Sequence, residues 1–149
     1  GVISKCVSGL RELRPELGKG EALEGDWKLA FVNTPTALEE VGTGLGKLPG
    51  TSILDMFISF EAGGKIKVSE VCRVVGPFPN IKNELLGSWK YQEGASGFGS
   101  GAEGLTLSYQ SMVDGRNKVT DGDTGFKVRS VVTEVKYVDE DVLVLTVGS

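Results

Sequence analysis

From Gly25 onward the apolar side chains of this chain fall on alternate positions, and glycine, proline or aspartate breaks the alternation at short intervals. A period of two is the mark of a β-strand, whose successive side chains point to opposite faces. Trp27, Leu29 and Phe31 alternate with Lys28, Ala30 and Val32. Residues 52–62 form a second candidate strand, and Gly63-Gly64 signals a tight hairpin into a third at 65–75. There Ile66, Val68, Cys72 and Val74 share one face, with Lys65, Lys67, Ser69 and Arg73 on the other. Gly76-Pro77-Phe78-Pro79-Asn80 breaks the chain. Strands resume at 85–92 around Trp89 and Tyr91, at 105–113, at 126–138 and, after a turn at Asp139-Glu140, at 142–147.

The segments between these strands are too short for the crossovers that parallel neighbours need, so the sheet is expected to be antiparallel. A long sheet tends to close on itself, which removes its edges, so a barrel of about seven to eight strands is expected, with a sandwich as the alternative. Residues 36–48 read as a short helical turn followed by a glycine-loosened loop. Residues 94–104 (GASGFGSGAEG) and the stretch from Asp114-Gly115 to Gly125 read as loops. Before the strands, Ile3, Cys6, Val7, Leu10, Leu13 and Leu17 recur at spacings of three and four. That spacing predicts one amphipathic helix over 3–17, stopped by Gly18 and Gly20, with its stripe packed on the barrel and lipid as the alternative. The whole of 1–149 is thus one domain, a helical lead at 1–20 and a barrel at 23–149.

Several function classes are excluded or disfavoured by residue type. The chain has no histidine, which removes Ser-His-Asp and Cys-His catalysis and the usual zinc and haem ligations. A formal charge of −4 and a pI near 4.9 oppose nucleic-acid binding. No apolar run is long enough for a bilayer-spanning helix, so membrane contact is expected to be peripheral. Cys6 and Cys72 make no disulfide framework and are expected as free, buried thiols, with a single bridge between them as the alternative. The chain opens on Gly-Val, which suggests a trimmed, mature product.

No motif nominates an active site, and no cofactor or metal is implied. Gly42, Gly44, Gly46 and Lys47 fail the phosphate-loop spacing, which needs glycine where Val41 stands and Ser or Thr where Leu48 stands. Asp121-Gly122-Asp123-Thr124-Gly125 opens like a calcium loop, but the bidentate Glu of an EF-hand would fall on Val132, so a solvated turn is expected. Asp139, Glu140 and Asp141 point in different directions at a strand turn and suit turn chemistry better than acid–base work. An enzyme would have to rely on carboxylates, Lys, Cys or Tyr, and no constellation of them stands out. Trp27, Phe31, Phe57, Phe60, Trp89 and Tyr109 all fall inside expected strands, as core or as the wall of a ligand cavity.

Gly25-Asp26-Trp27 at the start of the first strand resembles the G-x-W signature of lipocalin-type barrels. The longer segment LEGDWKLAFVNT, Leu23 to Thr34, resembles the opening strand of the plastid lipid-associated proteins, the plant fibrillins or plastoglobulins. KYVDEDVLVLTV, Lys136 to Val147, is similar to that family's terminal tyrosine-leucine-aspartate-glutamate turn, and a helix before the barrel fits as well. The chain departs from the family after the turn, where Val142 to Leu145 replace an arginine-rich stretch.

The resemblance implies a mainly β, lipocalin-like antiparallel barrel in the plastid or chloroplast, on a thylakoid or plastoglobule surface. It implies a non-catalytic protein that binds a hydrophobic small molecule: a lipid, carotenoid or quinone. Its candidate lining is Trp27, Phe31, Met56, Phe60, Val68, Leu107 and Tyr109. The alternative is a filled barrel serving as an adaptor that binds and stabilises a thylakoid membrane protein complex, a photosystem or antenna, through the glycine-rich loop at 94–104, the Pro77–Asn80 segment and the positively charged helix at 3–17.

Overall fold

A computed structural model describes residues 21–93 and 103–147. The expected helix over 3–17, Cys6 and most of the 94–104 loop lie outside the described residues. The described chain is mainly β: one antiparallel sheet, nearly closed into a barrel, and no sandwich. Its strands are β1 (Gly25–Lys28), β2 (Thr51–Glu61), β3 (Lys65–Val74), β4 (Ile81–Glu93), β5 (Glu103–Val113), β6 (Val119–Asp121), β7 (Arg129–Val138) and β8 (Leu143–Val147). The ladder runs β1-β2-β3-β4-β5-β7-β8, and β6 pairs only with the far end of β5. One helix, α1 (Pro35–Val41), follows β1, and short 3-10 turns occupy Glu21–Leu23 and Leu45–Lys47.

The alternation seen in the sequence becomes a single inward face. Opposite residues carry it round the sheet: Ile58 opposite Val68, Val68 opposite Leu85, Leu85 opposite Met112, and then Leu107 opposite Val131. Leu23, Met56, Phe60, Ile66, Val68, Leu85, Leu105, Leu107, Tyr109, Val131 and Val135 form one buried cluster. The ring of Phe60 meets Trp89 edge-on, with centroids 5.4 Å apart. No ladder joins β1 to β8. Helix α1 packs against β8 and turns Leu38 and Val41 to the core, so the sheet leaves part of its closure to a helix.

Two strand ends differ from the sequence reading. β1 stops at Lys28, so Leu29 and Phe31 lie past its end, and Phe31 is 59% exposed. The alternation there is real, but the ladder pairs only Gly25 to Lys28 with Phe57 to Phe60 of β2, and a last hydrogen bond from Leu29 N–H to the Met56 carbonyl closes it. β7 begins at Arg129 rather than 126, because Asp121 to Thr124 form a turn and Phe126 N–H bonds back to the Asp121 carbonyl at 2.7 Å. β6 falls within the stretch read as a loop, and three residues are too few to show a period.

Closing a sheet requires local kinks, and the register slips at three places: between Ile53 and Asp55, between Leu86 and Gly87, and between Val135 and Tyr137. At the second, a Cβ on Gly87 would stand 1.8 Å from the Ser108 carbonyl oxygen. Only glycine lets β4 and β5 approach this closely. Gly87→Ala is therefore expected to lower stability by about 1–3 kcal/mol in chemical denaturation, the usual cost of forcing atoms into a packed interior. A loss below about 0.5 kcal/mol, the range of ordinary surface substitutions, would show that the strands do not need the close approach.

Candidate functional site

The inward face brings most of the candidate lining residues together. Met56 and Phe60 from β2, Val68 from β3, and Leu107 and Tyr109 from β5 all belong to the same buried cluster. Trp27 joins at the margin, half-buried, with its indole N–H donating to the Leu23 carbonyl at 2.8 Å. Phe31 does not join, since it lies beyond β1. Val68, Leu107 and Tyr109 have 0% exposure and Met56 and Phe60 have 2%. A side chain with no surface open to a water-sized sphere borders no cavity, so around these residues the barrel interior is filled by protein.

One end of that interior is polar and carries the arrangement that sequence reasoning missed. Glu70 sits on the inward face of β3, between Val68 and Cys72, with 0% exposure. Its carboxyl group accepts hydrogen bonds from the Thr43 N–H at 2.9 Å and from the Thr43 hydroxyl. The Tyr109 hydroxyl donates to the Val41 carbonyl at 2.6 Å. Arg129, at the start of β7, donates through both terminal nitrogens to the carbonyls of Glu40 and Gly42. Its guanidinium lies 5.0 Å from the centre of the Tyr109 ring, in cation–π range. Three successive carbonyls at the end of α1 are thus met by side chains reaching from the barrel.

The physical need is plain. The last carbonyls of a helix have no partners within it, and burial without partners is costly. α1 ends inside the barrel mouth, at Val41 and Gly42, both buried. A cation at a helix C-terminus also opposes the negative end of the helix dipole. Gly42 is required by space: a Cβ there would stand 1.8 Å from Glu70 Oε1 and 2.8 Å from the Leu38 carbonyl. Asn83, also buried, accepts the Gly115 N–H at 3.1 Å and ties in the β5–β6 turn.

Burial raises the Tyr109 pKa well above its ordinary 10.0; the Arg129 charge pulls it back and Glu70 pushes it further up. Burial, with Glu70 beside it, also raises the Cys72 thiol above its ordinary 9.0. Both groups are neutral in the folded protein at ordinary pH, Tyr109 as a hydrogen-bond donor and Cys72 as a free buried thiol. Neither is poised as a nucleophile.

The acidic turns behave as turn chemistry. Asp121 Oδ1 accepts from the N–H groups of Asp123 and Thr124 and from the Thr124 hydroxyl. Asp139 accepts from Asp141 N–H, from Val142 N–H and, at 2.5 Å, from the Tyr137 hydroxyl, which holds the Asp139 carboxyl below its ordinary range. Among the described residues no group of three or more His, Cys, Asp or Glu side chains could hold a metal ion.

No protein-family model matches this chain, and no curated protein or solved structure is significantly similar to it. The likeness of residues 23–34 and 136–147 to the fibrillins rests on those segments alone.

Two outcomes follow from the polar end. Arg129→Met leaves two partly buried carbonyls without donors and is expected to cost about 1–3 kcal/mol, against about 1 kcal/mol for Tyr109→Phe, both by chemical denaturation. Because Tyr109 and Cys72 titrate above their unfolded values, their contribution to stability is complete below those values. It is lost as pH climbs from about 9 through the folded values, since the unfolded chain ionises first. Tyr109→Phe is expected to flatten the tyrosine part of that alkaline decline, measured as stability at stepped pH; an unchanged slope would contradict the assignment.

Proposed function

We propose that this chain is a non-catalytic adaptor of the fibrillin-like type: a filled barrel that docks on a thylakoid membrane protein complex, a photosystem or antenna, and stabilises it. The observation that carries this reading is the close packing around Met56, Phe60, Val68, Leu107 and Tyr109, five of the seven candidate lining residues. With Val68, Leu107 and Tyr109 at 0% exposure, recognition falls to the outer surface. That surface is rich in apolar side chains. Leu48, Val75, Phe78, Val119, Val128 and Val132 are each about half exposed or more. A barrel that turns such residues outward has material for a protein or membrane interface.

A second reading has its own support. Met56, Phe60, Val68, Leu107 and Tyr109 do converge on one apolar interior, which is the wall that a lipid, carotenoid or quinone would need. Loading such a molecule would require the barrel to expand or α1 to leave its mouth.

The two readings separate in one preparation. Tagged chain returned to its source membranes and recovered in mild detergent is expected to bring a pigment–protein complex with it, and the chain itself is expected to show only its polypeptide mass in native mass spectrometry. Recovery as a monomer carrying a stoichiometric apolar molecule would reverse the order of the readings.

A further inference from the structure

At the barrel end that holds α1, two loops and a turn put apolar side chains in water. Val75 is 73% exposed, Phe78 64% and Leu48 54%. They belong to adjoining segments: Val75 N–H bonds to the Gly50 carbonyl at 2.8 Å, and the Phe78 ring lies 3.7 Å from the Cβ position of Gly76. Ile81, 39% exposed, continues the rim to the β5–β6 turn, where its side chain comes within 3.2 Å of the Cβ position of Gly115. Phe78 stands between Pro77 and Pro79, which fix the backbone on either side. A pre-ordered tip gives up little entropy when it docks.

The charge around this rim runs against that of the chain. Segments 47–52, 73–82 and 114–118 contain Lys47, Arg73, Lys82, Arg116 and Lys118 with only Asp114 among the acids, five basic to one acidic, or +4. The chain as a whole is −4. Lys47 pairs with Glu39 and Lys82 with Glu84, which lowers the local excess to +2. Asp114 faces inward on its own turn, accepting the N–H groups of Arg116 and Lys118. Exposed apolar tips inside a basic collar match the layered chemistry of an anionic bilayer surface, acyl chains beneath negative headgroups. A protein interface of ordinary composition would not require one sign of charge. Among the described residues no helix is long and apolar enough to cross a membrane, so such contact would be peripheral.

We infer that this rim, with Phe78 and Val75 at its tip, seats the barrel on the headgroup region of an anionic lipid bilayer. This goes beyond the adaptor reading above: it names a face of the barrel and the charge of the lipid that face meets. The seated end is the α1 end, so the opposite end, with the β2–β3 hairpin and Trp89, faces away from the bilayer.

The test is flotation of the purified 149-residue chain with vesicles of phosphatidylcholine alone or with about 30 mol% phosphatidylglycerol, at low and at physiological salt. Binding to the anionic vesicles is expected to be about tenfold or more above the neutral ones and to weaken with salt. The double variant Val75→Ser with Phe78→Ser is expected to lose about tenfold in binding with an unchanged melting temperature. Arg73→Gln with Arg116→Gln is expected to erase the preference for anionic lipid. Val142→Ser, exposed at the β7–β8 turn away from this rim, is the control and is expected to bind as the unaltered chain does. Equal binding to both vesicles, no binding to either, or wild-type binding by the rim variant overturns the inference. If vesicles fail while the chain still co-purifies with a membrane complex, the rim is not a lipid-facing surface but the adaptor reading stands. Vesicle binding without co-purification supports the rim and removes the adaptor reading.

Discussion

The docking of α1 into the barrel mouth is the contact on which the rest of this structure depends. The sheet does not close by its own ladder, because β1 and β8 do not pair. A short helix stands against β8, and the carbonyls at its end, with no partners within the helix, lie at a partly buried barrel mouth. Arg129 and Tyr109 supply donors for three of these carbonyls, and Glu70 accepts from Thr43 just beyond. Those side chains come from β3 and from the neighbouring strands β5 and β7, so one cluster ties β3 to strands on the far side of β4. A polar network of this kind is stabilising only when every member is satisfied, and removal of any one leaves others stranded.

The same cluster bears on what the protein can do. A hollow barrel needs an open mouth, and here one end is occupied by backbone and side chains bonded to each other. Beneath it Val68, Leu107 and Phe60 pack against their neighbours without a gap. Of the groups that could look catalytic in isolation, the Tyr109 phenol and the Arg129 guanidinium are bonded to backbone carbonyls, the Glu70 carboxyl is bonded to Thr43, and the Cys72 thiol is buried. Interest therefore moves outward, to a surface with several large apolar side chains in water and a basic rim on an acidic molecule.

Much of the fold could be read from the chain because strand periodicity is local. β2, β3, β5 and β8 lie within about two residues of their expected ends, the usual boundary error. The inward face of β3 was legible from Ile66, Val68 and Cys72, yet Glu70 shares that face and was assigned no role in the sequence reading. An acid in phase with apolar neighbours is a signal in itself: a charge on a buried face must have partners elsewhere. Arg129 is similar, in phase with Val131, Thr133 and Val135 of β7. Its partners are carbonyls some ninety residues earlier in the chain, which no local pattern can name. Phe31 shows the opposite error, for alternation continued past the point where β2 offers a partner. β4 extends back to Ile81, four residues before its expected start at 85, since pairing with β3 organises residues that look irregular alone.

The α1 junction, tied to Glu70 and Tyr109, is part of the core rather than a loop laid over it. Amide hydrogen exchange at Thr43, whose N–H is held by Glu70, tests this most directly. If the junction belongs to the core, this amide exchanges as slowly as those of Val68 and Leu107, and only through global unfolding. Exchange at loop rates, while those strand amides stay protected, would show that the barrel mouth opens on its own and would contradict the account.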